Sequence, residues 1–203
     1  MRNSLIEPQD RSSYPFPLQA IHSVLNVPLE NSTGEVLYLG LGCFWGAERI
    51  FWQHPGVLAT SVGYAGGRFG YPFYEEVCTG KTGHAEVVKV NYDPSALSDA
   101  DIIRFFFENH DPTQGNRQGN DIGTQYRSAL YYTTESQHQQ AILIKSAYEA
   151  ELKSKGYGEI TTEIAPAPKY YFAEEYHQQY LHKVPNGYCG IGGTGVSCPL
   201  PIS

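Results

Sequence analysis

The spacing of apolar residues predicts short strands and helices that follow one another along most of the chain. Runs or alternations of apolar side chains at 36–41, 57–64 and 84–92 are typical of buried strands. Between the first two segments, apolar residues recur on one helical face over 44–53, which predicts a helix that Pro55-Gly56 ends.

The second half of the chain continues this mixture. Ser98 with Asp101, and Thr134 with Gln137, resemble capping boxes and predict the first turns of two helices. The remaining expected elements are strands at 126–132 and 160–164 and a short helix at 173–180. Because the elements follow no strict βαβ rhythm, we predict an α+β fold, a mixed α/β two-layer sandwich with a central mixed sheet packed with helices.

The two ends of the chain lack this regular pattern. Residues 1–34 contain four prolines and no sustained apolar period, which predicts an extended N-terminal arm. A single domain is expected over 35–203, and it includes a Gly-rich tail at 184–203 that carries two cysteines.

The composition argues against several classes of protein. With 41% apolar residues among 203, the chain can bury a sizeable core. The net charge of -7 and the scattered Lys and Arg residues argue against nucleic-acid binding, which usually needs a basic patch. Apolar runs are too short to span a bilayer, and the N-terminus lacks the features of a secretory signal. We therefore expect a cytoplasmic protein that binds neither nucleic acid nor membrane.

Cys43 stands between a predicted strand and the first turn of a predicted helix. Unpaired backbone N–H groups and the positive end of the helix dipole favour an anion there, so we expect a lowered pKa and a reactive thiolate. Gly42 permits a tight turn, and Gly46 leaves room for a ligand to approach. The alternative is that Cys43 is a small buried hydrophobe, the usual state of an unpaired cysteine.

Glu86 is the most informative carboxylate in the sequence. Alternation along 84–92 places it on the same face as Val88 and Val90, which should point inward. Desolvation there raises the pKa of a carboxyl group, as a general acid requires. The alternatives are an edge strand with Glu86 in solvent, or a buried Glu86 that is paired with an arginine.

Aromatic side chains indicate a small substrate pocket. Phe44 and Trp45 directly follow the cysteine and suit an apolar group such as a methyl, although core packing is the simpler interpretation of Phe44. Tyr74 and Tyr126 are candidate hydroxyl donors to a polar substrate atom. The polar stretch at 109–121 is either a flexible surface loop or a functional loop fixed by its own hydrogen bonds.

The other three cysteines have different settings. Glycine flanking Cys189 predicts a mobile segment that can bring its thiol to another sulfur, and Cys198 can then attack a disulfide of Cys189. The alternative is a zinc site built from these two residues with His177 and His182, although the set lacks the close pairs typical of structural zinc. Cys78, among acidic neighbours that raise a thiol pKa, is interpreted as structural.

Seven motifs together resemble the peptide methionine sulfoxide reductase A family. They follow the family order and are GCFWGAER at 42–49, GYAGG at 63–67, GHAEV at 83–87, NHDPTQ at 109–114, DIGTQYR at 121–127, HQQYL at 177–181 and GYCG at 187–190. A lone GCFW would be merely suggestive, whereas the ordered set is very specific. The resemblance covers about residues 36 to 198.

The resemblance implies reduction of the S epimer of methionine sulfoxide, in proteins and as the free amino acid. By resemblance, the Cys43 thiolate attacks sulfur while Glu86 protonates the oxygen as general acid. Tyr74, Tyr126 and Asp121 assist by hydrogen bonding. Methionine leaves, and the cysteine remains as a sulfenic acid.

The resemblance also implies a substrate pocket and a route of recycling. The substrate-binding residues are Phe44, Trp45 and His177. Cys189 condenses with the Cys43 sulfenic acid to a disulfide, which Cys198 carries outward to be reduced by thioredoxin or another dithiol. The resemblance implies no metal and no organic cofactor, and a monomer is expected.

A cysteine acyltransferase or hydrolase is a further alternative, in which Cys43 works with a histidine. The tail cysteines argue against this class, because acyl transfer has no use for a mobile second thiol. A zinc-stabilised binding module stays open as the other alternative.

Overall fold

A six-stranded mixed sheet forms the centre of the fold in this computed structural model, which describes residues 18–200. The strands are β1 (Glu35–Leu41), β2 (Val57–Ala65), β3 (Ala85–Tyr92), β4 (Arg117–Gln118), β5 (Asp121–Ile122), β6 (Ser128–Tyr132), β7 (Glu163–Pro166) and β8 (Tyr171–Phe172). The sheet order is β7-β6-β1-β3-β2-β8, and β6 and β7 are parallel while the other pairs are antiparallel. The short strands β4 and β5 form a separate hairpin.

Helices pack against this sheet. They are α1 (Phe44–Trp52), α2 (Tyr74–Cys78), α3 (Asp99–Glu108), α4 (Glu135–Ser154) and α5 (Tyr180–Lys183). The α+β architecture predicted from the sequence is confirmed. The part of the predicted arm at 1–17 and the end of the tail at 201–203 lie outside the described residues. Within the described range, no helix is both long and apolar enough to cross a membrane.

A sharp turn joins β1 to α1 and places Cys43 at the helix N-cap. Gly42 in this turn has a φ of +92°, and a Cβ there would lie 2.6 Å from the Cβ of Gln118. Both the positive φ and the lack of space require glycine. The helix is held on the sheet by buried Phe44, Ala47 and Phe51. Burying an aromatic side chain such as Phe51 stabilises the fold by roughly 1.5–3 kcal/mol.

Two predicted elements differ from the structure near the C-terminal half of the sheet. The strand expected at 126–132 begins only at Ser128, because Thr124–Tyr126 form a 3-10 turn. The strand expected at 160–164 is shifted to Glu163–Pro166. Both capped helices begin as predicted, since Ser98 accepts a hydrogen bond from the Asp101 N–H and Thr134 from the Gln137 N–H.

The single helix predicted at 173–180 is wrong. The segment instead contains a 3-10 turn at Glu175–His177, and α5 begins only at Tyr180. Between them Gln179 has a φ of +47°, in the left-handed region that interrupts a helix. Its backbone N–H and its side-chain amide each donate to the Glu48 carboxylate at 2.8 Å, which compensates for this conformation.

A buried polar network surrounds Glu48 and joins α1 to the segment before β1. The Thr60 hydroxyl donates to Glu48 at 3.0 Å, and His22 Nε2 lies 2.9 Å from the same hydroxyl oxygen. His22 Nδ1 accepts from two backbone N–H groups, so the ring proton is on Nε2 and is donated to Thr60. Burial lowers the pKa of His22 to about 4, which keeps the ring neutral.

Burial raises the pKa of Glu48 from 4.5 to about 7, although Gln179 and Thr60 donate hydrogen bonds to it. The unfolded chain therefore loses this proton before the folded chain does, and Glu48 contributes a fall in the free energy of unfolding as pH rises from 4.5 to 7. We expect Glu48→Gln to remove this contribution, so that the free energy of unfolding falls less, or rises more, with pH than in the unaltered chain, measured by urea denaturation at a series of pH values. Glu159→Gln, at an exposed position, is the matched control. An unchanged slope in Glu48→Gln would contradict this assignment.

Candidate active site

Cys43 occupies the N-cap of α1 and is partly buried. Burial raises the pKa of its thiol well above 9, and the Glu86 charge raises it further. Hydrogen bonds from the backbone N–H groups of Trp45 and Gly46 act in the opposite direction. The prediction of a lowered pKa for Cys43 is therefore wrong, because desolvation and the Glu86 charge outweigh the effect of the helix N-terminus.

Glu86 lies on β3 with only 2% of its surface exposed, on the side of the sheet that carries the main core with Val88 and Val90. Its carboxylate accepts a 3.1 Å hydrogen bond from the Phe44 backbone N–H. Burial raises the pKa of Glu86 to about 8 despite this bond, with a smaller contribution from Asp121. At neutral pH the group is mostly protonated, which is the state that a general acid needs.

Three further predicted residues lie around this carboxylate. Burial raises the pKa of the Tyr74 and Tyr126 phenols, and the Glu86 charge contributes to both shifts, so both hydroxyls remain protonated donors. Burial also raises the pKa of Asp121, whose carboxylate accepts a 3.1 Å hydrogen bond from the Tyr188 hydroxyl. The structure thus gathers these groups and Cys43 around one centre.

The polar loop that leads to Asp121 is held by its own hydrogen bonds. Asp111 Oδ1 accepts from both the N–H and the hydroxyl of Thr113, at 3.0 and 2.7 Å. The Gln118 side chain accepts from the Asp111 N–H and donates to the Asp111 carbonyl. Of the two interpretations of this loop, the structure therefore favours the fixed one, and β5 starts at Asp121.

Aromatic rings form one wall of the site. Phe44 and His177 are both 1% exposed, with ring centroids 5.2 Å apart. The Trp45 indole donates to His177 Nδ1 at 3.0 Å and stacks on Tyr180 at 3.9 Å between centroids. Burial lowers the pKa of His177 to about 4, so this ring is neutral. The predicted substrate-binding residues Phe44, Trp45 and His177 are therefore in mutual contact.

The tail brings Cys189 against α1. Its Sγ lies 3.0 Å from Arg49 Nη2, and a Cβ at Gly46 would lie 3.0 Å from the same sulfur. The space expected beside Gly46 for a ligand is thus filled by the tail. Cys198 is 8% exposed, and its backbone N–H donates to the Glu108 carboxylate at 2.7 Å. All four cysteines are free thiols in this state.

Cys78 and the two histidines of the alternative zinc site lie in different surroundings. Cys78, interpreted as structural, is exposed at the end of α2. Its pKa is raised, as expected from its acidic neighbours: burial is the first cause, the Tyr74 hydrogen bond acts against it, and Glu86, Glu174 and Glu75 raise the pKa further. His177 belongs to the aromatic wall, while His182 lies on α5. Across residues 18–200, no group of three or more His, Cys, Asp and Glu side chains is arranged to hold a metal ion.

Several residues that complete the site were missed from the sequence. Glu174 accepts from the Tyr74 backbone N–H at 2.9 Å and from the Tyr64 hydroxyl at 2.8 Å, and so fixes the first residue of α2. Neither Glu174 nor Tyr64 had a local signal that indicated this contact. Arg49 and Tyr188 lie within the recognised motifs, so the sequence indicated that they belong near the site but not which groups they contact.

The chain is similar in sequence to one family of known proteins. A sequence model of the family described as "Peptide methionine sulfoxide reductase" matches residues 35–195. The peptide methionine sulfoxide reductase MsrA of Rhodospirillum centenum is 60% identical over 190 residues, which cover 92% of this chain and 87% of that protein. The MsrA of Salinispora arenicola is 53% identical over an alignment that covers all of this chain and 96% of that protein.

Solved structures give the same result. Methionine sulfoxide reductase A of Corynebacterium diphtheriae is 49% identical, with a TM-score of 0.81 and 91% of each chain covered. The reduced form of Mxr1 from Saccharomyces cerevisiae is 36% identical, with a TM-score of 0.71 over 81% of this chain and 89% of that one. The chain is therefore a member of the peptide methionine sulfoxide reductase A family, and it is an oxidoreductase.

Proposed function

We propose that this protein reduces the S epimer of methionine sulfoxide, in oxidised proteins and as the free amino acid. Cys43 attacks the sulfoxide sulfur, and Glu86 donates a proton to the sulfoxide oxygen. The observation that carries the proposal is the buried Glu86 carboxyl, whose pKa of about 8 keeps it protonated beside a nucleophile at a helix start.

The proton balance of this step follows from the two raised pKa values. Both Cys43 and Glu86 carry a proton at neutral pH before substrate binds. As the Cys43 sulfur bonds to the sulfoxide sulfur, Glu86 gives its proton to the oxygen and takes up the proton of the thiol. The substrate sulfur–oxygen bond and the transient sulfur–sulfur bond then break while a sulfur–oxygen bond forms on Cys43. Cys43 is thereby oxidised to a sulfenic acid and the sulfoxide is reduced to methionine, with no net gain or loss of protons.

Neighbouring groups suit the polar and the apolar ends of the substrate. Tyr74 and Tyr126 are protonated hydroxyls near Glu86 and serve as donors to the sulfoxide oxygen. Asp121 assists by hydrogen bonding at the same edge. Phe44 and Trp45, with His177 behind them, provide an apolar surface for the methyl group.

Recycling in this proposal passes through the tail. Cys189 condenses with the Cys43 sulfenic acid, Cys198 takes over the disulfide, and thioredoxin reduces it. The contact of Cys189 with α1 supports the first step. The solved complex of Saccharomyces cerevisiae Mxr1 with Trx2 supports thioredoxin as reductant. We propose that the catalytic domain works as a cytoplasmic monomer without a metal or an organic cofactor.

Replacing the nucleophile tests the proposal directly. Cys43→Ser should abolish formation of methionine from methionine S-sulfoxide, because an alcohol is neither acidic nor nucleophilic enough to attack the sulfur. Methionine is measured by chromatography with dithiothreitol as reductant. Cys78→Ser is the matched control and should retain turnover. Methionine formation by Cys43→Ser at the rate of the unaltered chain would refute the assignment.

The pH dependence tests the general acid. Since only protonated Glu86 can donate, the first-turnover rate should fall as pH rises through about 8. Glu86→Gln should lower that rate about 10²–10⁴-fold and remove this decline. Glu75→Gln, at an exposed position on the neighbouring helix α2, is the control. The proposal fails if Glu86→Gln keeps both the rate and the decline.

The last thiol of the relay is tested by comparing two reductants. Cys198→Ser should still form one methionine per chain and a disulfide between Cys43 and Cys189. Its turnover with thioredoxin should fall strongly, whereas turnover with the smaller dithiothreitol should fall less. Mass spectrometry of the disulfides after one turnover identifies the pair. Full turnover of Cys198→Ser with thioredoxin would remove Cys198 from the relay.

A further inference from the structure

The Arg49 guanidinium contacts the sulfur of Cys189, and the mechanism described above gives it no role. Arg49 Nη2 lies 3.0 Å from Cys189 Sγ. Among residues 18–200, no carboxylate lies within ion-pair distance of this guanidinium. The sulfur is therefore the partner of a cation that is always charged and is not neutralised by an acidic side chain.

The position of this contact on α1 is also specific. Cys43, Gly46 and Arg49 follow one another at intervals of three residues, so they lie side by side along the helix surface. The Cys189 sulfur rests over Gly46, where a Cβ would approach it to 3.0 Å. It thus lies beside Gly46, which is midway in sequence between Cys43 at the helix start and Arg49, whose guanidinium contacts the sulfur.

We propose that Arg49 is a further catalytic residue, one that acts in recycling and not in sulfoxide reduction; this inference rests on the proposed function. The guanidinium holds the Cys189 sulfur in place and stabilises the negative charge on it during attack on Cys43. A guanidinium 3.0 Å from the attacking sulfur is placed to interact with the negative charge that develops there as the attack begins.

The Cys189 thiol loses its proton, and its sulfur attacks the sulfur of the Cys43 sulfenic acid. A sulfur–sulfur bond forms, the sulfur–oxygen bond breaks, and hydroxide leaves with the released proton as water. The Cys189 sulfur is oxidised and the Cys43 sulfur is reduced, so the oxidant is the sulfenic acid that sulfoxide reduction supplies.

Contacts on either side of Cys189 hold the tail independently of Arg49. The Tyr188 hydroxyl donates to Asp121, and the Ile191 side chain lies against Gly46. Substitution of Arg49 therefore removes the guanidinium while the flanking residues keep their anchors. This separates loss of charge stabilisation from loss of the docked tail.

The test follows one turnover of the reduced full-length chain with methionine S-sulfoxide and no reductant. Two quantities are measured in each quenched sample: the methionine formed, and the Cys43 sulfenic acid trapped by dimedone and detected by mass spectrometry. In Arg49→Met, the sulfenic acid should decay to disulfide about tenfold more slowly than in the unaltered chain. Arg49→Lys, which keeps the charge, should recover part of the rate.

Arg68→Met, at an exposed arginine, is the matched control and should decay like the unaltered chain. Equal decay in Arg49→Met and the unaltered chain would overturn the inference, as would a methionine burst slowed by the same factor as the decay. Absence of a methionine burst in the unaltered chain would instead refute the proposed function, and this inference with it.

Discussion

The hydrogen bond from the Phe44 backbone N–H to the buried Glu86 carboxylate joins the two halves of the site. It links the first turn of α1 to the central strand β3 across 42 residues of sequence. A buried carboxyl group needs a partner, and here the partner is an unpaired amide of the helix that carries Cys43. The nucleophile and the acid are therefore positioned by one contact between two elements, and a shift of α1 relative to β3 would change the distance between Cys43 and Glu86.

Helix α1 connects this contact to the rest of the molecule. Its buried Glu48 binds Gln179 and Thr60, and through Thr60 it reaches His22 in the segment before β1. Gln179 lies two residues after His177, so the network also fixes the aromatic wall. Glu48, the buried carboxyl on α1, thus has a structural role, while Glu86 on β3 faces the cysteine. The two carboxyl groups differ in their partners: among residues 18–200, Glu48 accepts three hydrogen bonds and Glu86 accepts one.

The fold class, the strand at 84–92 and the inward position of Glu86 were predictable, because they follow from side-chain periodicity. The break at Gln179 was not, since it depends on a carboxylate 131 residues away in the chain. The same limit applies to Glu174, which fixes Tyr74 from a distant loop. Motif spacing identified Cys43 and Cys189 as candidates, whereas their environments, including the raised thiol pKa of Cys43, depend on packing that no local pattern contains.

The raised pKa of the Cys43 thiol means that its position at the start of a helix does not by itself ionise it. A permanently ionised thiolate would sit beside Glu86 and Asp121, which both oppose it. A neutral thiol beside a neutral carboxyl avoids two buried charges in the resting site. The charge then develops only when a substrate oxygen is present to accept the Glu86 proton, so the proposed reaction couples ionisation of Cys43 to the arrival of a sulfoxide. In this proposal, burial keeps the free thiol neutral, and the bound sulfoxide activates it.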